Sequence, residues 1–273
     1  MLRISPSSDR HLPVQAPLPK SATIYEQPLN ERLRFFLRLE FLFRHARHHL
    51  RGESVWDSHS TLASLLEILS IVSRLDMKTE VIKELDRIST TLGALSQTPG
   101  VNHDTLDQLL STLGGFKAQL HGMEGPLAQE VRENELIKAL IQRSGIPGGM
   151  CDFELPAYRH WLNRSTAARL EDLKGWLGTL DGLRLSVELM LKLVRESAEP
   201  TEQRAVNGVH QQALDPATPY QLIRVWLPAD SPCFAEISGG KHRFTLRFME
   251  ADAKPRPVQT SQDLDFHLSC CAL

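Results

Sequence analysis

The chain has 273 residues, enough for one large domain or two modest ones around a real core. Apolar residues make up 41% and charged residues 23%, the balance of a globular protein rather than a disordered one. A net charge of −2 excludes a generally basic nucleic-acid binder, and 6% aromatics leave little for base stacking, so any basic surface must be local.

The opening residues, MLRISPSSDRHLPVQAPLPK, mix prolines and serines with polar residues and lack the continuous apolar core of a secretion signal. Residues 1–24 therefore read as a disordered extension. No apolar run reaches the roughly 18 residues that a membrane span needs, so a cytoplasmic protein without direct membrane insertion is expected.

From about Tyr25 to Glu199 the apolar period is helical. Asn30, just after Pro28, is an acceptable N-cap for a first helix running to about Arg51. Its sequence is NERLRFFLRLEFLFRHARHHL over residues 30–50, with six arginines against two glutamates between Asn30 and Arg51. At 100° per residue, Leu33, Phe35, Phe36, Leu37, Leu39, Leu42 and Phe43 cover more than half the circumference. Arg34, Arg38 and His45 share one narrow strip, with Phe41 and His48 at its edge. Glu40 sits inside the apolar arc, where Arg44 four residues on pairs with it.

Two readings of the strip compete. It is the solvated face of a core helix, or it is an arginine-lined groove for an acidic or amphipathic partner segment. No Asp, Glu or Cys near His45, His48 and His49 completes a ligand set, so no metal is expected there.

Further helices are predicted over 59–75 and 77–95, with Leu62, Leu65, Leu69 and Val72 on one and Val81, Leu85, Ile88 and Leu92 on the other. After the breaks at TPGVNHD and GMEGP come TLDQLLSTLGGF and then LAQEVRENELIKALIQR, the latter ended by SGIPGG. Two more helical patterns cover Ala167–Leu177 and Leu183–Glu196.

At Glu199-Pro200 the period drops to 2. YQLIRVWL (220–227), HRFTLRFM (242–249) and LDFHLSC (264–270) alternate as strands, and Gly239-Gly240 marks a tight hairpin turn. The fold class is α+β, an α-helical domain over 25–199 followed by a small antiparallel β domain over 200–273.

Cys151, Cys233, Cys270 and Cys271 match no zinc spacing and read as buried thiols rather than disulfides. The ending Cys-Cys-Ala-Leu fits a loose prenylation pattern, but Cys270 continues the Leu264, Phe266, Leu268 face of a strand. SGIPGGMCDFELP and SGGKH lack the spacing that cradles phosphates. No H-E-x-x-H or G-x-S-x-G run occurs, so neither catalysis nor a cofactor is expected.

Five blocks in order, YEQPLNERLRFFLRLEFLF (25–43), TEVIKELDR (79–87), IPGGMCDFELPAYRHWL (146–162), ISGGKHRFTLRFM (237–249) and LDFHLSCC (264–271), resemble the bacterial ZapD family of Z-ring-associated cell-division proteins. The resemblance implies a homodimer formed through the helical domain. It also implies binding to the C-terminal tail of FtsZ, the tubulin-like division GTPase, and bundling of FtsZ protofilaments at the midcell Z-ring. Members are not enzymes and use no cofactor.

Carried over by position, the tail site centres on Arg38 in FFLRLEF, with Arg132 in QEVREN and Arg159 in LPAYRHW. Arg34 and His45 join it as neighbours of Arg38 on the strip. Glu135 departs from the pattern, placing a negative charge where a basic side chain would extend the patch. The competing function is a nucleic-acid-binding protein that uses the basic helix 30–51, with a steep salt dependence.

Overall fold

The computed structural model describes residues 21–74, 76–240, 242–250 and 256–273. The expected extension over residues 1–24 lies outside the described residues as far as residue 20. Its last three positions belong to a strand, β1 (Ala22–Pro28). Contacts divide the chain into two units, one spanning Phe35–Met190 and the other joining the chain up to Arg34 with Leu191–Leu273.

The first unit is helical. Helix α1 (Glu31–His49) begins where predicted, with the Asn30 carboxamide oxygen accepting the Leu33 N–H at 2.8 Å. Its apolar arc is buried through Phe36, Leu39, Leu42, Phe43 and Ala46, and the Arg44–Glu40 pair forms at 3.9 Å. Helices α2 (Val55–Arg74) and α3 (Met77–Ala94) follow; Asp76 caps α3 by accepting from the Thr79 N–H. Helix α4 (His103–Gly122) is capped in the same way by Asn102.

The stretch predicted as one helix, residues 127–143, is two. Helix α5 (Gln129–Glu133) stops at Asn134, whose extended backbone starts α6 (Glu135–Arg143) and whose side chain accepts from the Leu136 and Ile137 N–H groups. The competition is between continuous helical periodicity and a strong N-cap residue, and the cap wins. Helix α7 (Pro156–Leu162) was not predicted, although Pro156 at its first turn is a helix-start signal. Helices α8 (Thr166–Gly178) and α9 (Asp181–Arg195) complete the set.

Arg169 of α8 holds this region together. It is buried, and its guanidinium donates to the carbonyls of Glu53 (3.0 Å), Leu162 (3.1 Å) and Arg164 (2.6 Å) and to Ser58 Oγ (3.1 Å). One side chain thus fixes the start of α2 and the end of α7 against α8.

The second unit is an antiparallel β structure. Its strands after β1 are β2 (Thr201–Ala205), β3 (Val209–Ala213), β4 (Tyr220–Pro228), β5 (Cys233–Gly239), β6 (Arg243–Glu250), β7 (Val258–Gln259) and β8 (Leu264–Ala272). One sheet runs β1-β4-β8-β2 and the other β3-β6-β5, with β7 on β6. The inward faces are those predicted, Ile223, Val225 and Leu227 meeting Phe244, Leu246, Phe248, Phe266 and Leu268. Cys270 packs against this cluster, as the strand alternation required. Its thiol is pushed up to about 11 by burial; all four cysteines are free, but only Cys271 is fully buried, the other three being partly exposed where buried thiols were expected.

Strand β4 is internal to its sheet, between β1 and β8, and is largely buried on both faces. Strand β1 pairs with it from Ala22↔Pro228 to Pro28↔Leu222. On the outer face Glu26 takes the Arg195 guanidinium at 2.9 and 2.8 Å and Arg224 Nε at 2.9 Å, while Arg224 also lies 4.7 Å over the Trp226 ring. Burial acts to raise the Glu26 pKa, but the two arginines outweigh it and the carboxyl is held below its ordinary range.

Strands β2 and β3 turn at Asn207-Gly208, both in the left-handed region. A side chain at Gly208 would lie 2.3 Å from the Thr260 carbonyl oxygen, so glycine is required there twice over.

Candidate functional site

The strip predicted on α1 is exposed. Arg38, Phe41, His45 and His48 recur at helical spacing on one side of the helix and all face solvent. Phe41 is 59% exposed, stacked 6.1 Å from the His45 ring at the edge of the cationic strip. A purely solvated face has no use for that phenylalanine.

Partners separate the α1 arginines. Arg34, in the other unit, pairs with Glu31 at 3.2 Å; Arg44 pairs with Glu40, and Arg47 with Glu188 at 3.8 Å. Among the described residues, no hydrogen bond or ion pair engages the Arg38 side chain, whose guanidinium rests 5.7 Å over the Phe35 ring. Its charge is available to an incoming carboxylate without breaking an internal pair.

The histidines are organised by α2. His45 Nδ1 lies 2.7 Å from Ser64 Oγ, and His49 Nδ1 lies 3.1 Å from Asp57 Oδ1. Asp57, eight residues after His49, is the nearby acid that the sequence alone did not supply. Hydrogen bonds from Ser54, then from His49, hold its carboxyl below the ordinary range. Among the described residues, no cluster of three or more His, Cys, Asp or Glu is placed to hold a metal.

Arg132 and Arg159 stand on other elements. Arg132 is half-buried on α5, with no hydrogen bond or ion pair to its side chain among the described residues. Glu135, the departure from a basic patch, is exposed and pairs with Lys138 at 2.8 Å. Arg159 is exposed on α7 and pairs with Asp152 at 3.3 Å.

Arg159 also stands at the edge of a feature the sequence did not reveal, an apolar groove of about 880 Å³. Trp56 of α2, Ile146, Met150 and Phe153 of the loop before α7, and Tyr158 form its walls. Trp56 is 75% exposed and Phe153 83%. Beneath them His59 Nδ1 meets the Tyr158 hydroxyl at 2.8 Å, and the Tyr158 ring stacks 6.0 Å from Trp161. The signal was present in IPGGMCDFELP, where large apolar residues follow glycine turns instead of a helical stripe.

Burial holds His59 below the ordinary histidine value of about 6.5. The folded unit therefore resists a proton that the unfolded chain accepts. Stability tied to neutral His59 is complete above about pH 6.5 and drains away as pH falls toward the lower folded value. Between about pH 7 and pH 5 the urea midpoint, followed by tryptophan fluorescence, is expected to fall more steeply for wild type than for His59→Gln. Parallel curves would contradict that coupling.

An exposed cationic helix face interrupted by an aromatic, with an apolar groove in the same helical unit, has the form of a recognition surface. Comparison with known proteins gives the class. The model of the family described as ZapD, cell division protein, matches residues 37–247. The cell division protein ZapD of Methylococcus capsulatus is 42% identical over 254 residues, 93% of this chain and 100% of that protein. Those of Azoarcus and Coxiella burnetii are each 35% identical, covering 91% of this chain and 99% and 97% of theirs. The chain belongs to the ZapD family of cell division proteins. Among the described residues, no helix is long and apolar enough to cross a membrane.

Proposed function

We propose that this cell division protein binds the C-terminal tail of FtsZ along the exposed face of α1 and, as a homodimer, crosslinks FtsZ protofilaments into bundles at the midcell Z-ring. It does so in the cytoplasm, by binding and not by catalysis. In this reading the helical domain, residues 25–199, carries both dimerisation and the tail site, and the β domain, 200–273, is a separate module. The observation that carries the reading is Arg38, exposed and without an internal carboxylate among the described residues, beside the exposed ring of Phe41. Arg132 and Arg159 are its candidate companions, and Arg34 and His45 flank it on the strip.

Charge and valency supply the mechanism. One short tail on one face binds weakly, at about micromolar affinity, or about −8 kcal/mol. A dimer offers two faces and a filament offers many tails, so effective concentration turns weak contacts into crosslinks. The contacts are exposed and ionic, so bundling weakens as salt rises.

Pelleting with polymerised FtsZ tests the partner. The chain is expected to co-sediment with full-length filaments and to stay in the supernatant with filaments that lack the tail. Equal pelleting with both would assign the contact to the globular part of FtsZ.

A further inference from the structure

We infer that the groove between Trp56 and Phe153 seats the apolar side chains of the same partner segment whose acidic residues lie along α1. The inference rests on the tail-binding reading and extends it from a charge contact to a two-part recognition.

Charge assigns the parts. At the groove Arg159 is matched by Asp152, and just outside it Arg143 is matched by Glu154 at 3.0 Å, so the lip is electrically balanced. A balanced, apolar cleft selects an uncharged side chain, whereas unpaired Arg38 selects a carboxylate. An occupant that is apolar throughout would leave Arg38 unused, and one that is acidic throughout would leave the two aromatic walls in water.

Position links the parts. The His49–Asp57 contact joins the end of the α1 strip to the start of α2, and Trp56 is the residue beside Asp57. Eleven residues of helix separate Arg38 from His49, about 16 Å at 1.5 Å per residue. An extended segment covers that length in about five residues. The occupant is therefore a segment with a carboxylate and an apolar side chain at least about five residues apart, lying along α1 and turning into the groove. Arg169 fixes the starting turn of α2 and the end of α7 to one another, and His59 bonds Tyr158, so the α2 and α7 sides of the groove are set before the ligand arrives.

The test uses the full chain and two fluorescein-labelled peptides, the FtsZ tail and a version with its apolar residues changed to serine, read by anisotropy. Trp56 and Phe153 are exposed, so Trp56→Ala and Phe153→Ala leave the fold intact, which circular dichroism checks. Each is expected to weaken the tail peptide about tenfold and to leave the serine peptide's already weaker binding unchanged. Unchanged tail affinity in both variants, with Arg38→Glu still weakening it, would overturn the groove assignment and leave the tail-binding reading standing. Conversion of dimer to monomer by the same substitutions, with tail affinity unchanged, would give the groove to a second copy. Loss of any Arg38→Glu effect would remove the underlying reading itself.

Discussion

Replacing Glu26 with alanine is expected to destabilise the β unit by about 3–5 kcal/mol. Glu26 is the shared acceptor of two guanidiniums, Arg195 and Arg224, and all three side chains are about four-fifths buried. Removing it takes the shared carboxylate from two cations in a partly desolvated site. The mechanism is the uncompensated charge, not the lost attraction, so Glu26→Gln should also be costly, although it retains an acceptor. A variant that removes one of the two cations along with the acid, Glu26→Leu with Arg224→Met, should recover part of the loss. Because the Glu26 carboxyl is held low, its contribution is present above the ordinary carboxylate range and is lost as pH falls below it. Urea unfolding of the three variants measures all of this; a loss under about 1 kcal/mol in Glu26→Ala would mean the triad is solvated.

Reversing Arg38 to glutamate is expected to reduce tail binding by ten- to a hundredfold, about 1.4–2.8 kcal/mol. Arg38 is exposed and bonded to no carboxylate among the described residues, so its loss breaks no internal pair and the fold is unaffected. The substitution acts twice, removing an attractive charge and adding a repulsive one against an acidic ligand. Arg44→Glu and Arg47→Glu are weaker tests, since each arginine already has an internal carboxylate and its replacement disturbs Glu40 or Glu188 as well. If the proposed dimer crosslinks filaments, bundling should respond more steeply than peptide binding, because a crosslink would need both faces occupied.

Much of the fold was legible in local pattern. Periodicity located α1 to α3, α8 and α9 to within a few residues and α4 except for its last six, and alternation assigned the inward faces of β4, β6 and β8 correctly. What was missed was of two kinds. Strand β1 pairs with β4 across about two hundred residues of chain, and no turn or period in ATIYEQP announces a partner so distant. The β2–β3 hairpin and the α5–α6 break, by contrast, carried their signals openly in Asn207-Gly208 and in Asn134. There a single residue's local chemistry outweighs the surrounding periodicity.

The site was legible in part. The strip of Arg38 and His45 follows from helix geometry, and the exposure of Phe41 at its edge is what lifts it above an ordinary solvated face. That Arg38 is unpaired while Arg34 is not depends on where Glu31 sits and on the absence of an acid one turn from Arg38, which side-chain geometry decides. The groove escaped notice because its walls come from α2 and from a loop ninety residues later.

The most direct measurement is a titration of the labelled FtsZ tail peptide with the wild-type chain and with Arg38→Glu, at low and at high salt. Binding that weakens by at least tenfold in the variant, and that salt weakens in the wild type, is the predicted result. A folded Arg38→Glu chain that binds the peptide as tightly as wild type would contradict the assignment of the α1 face.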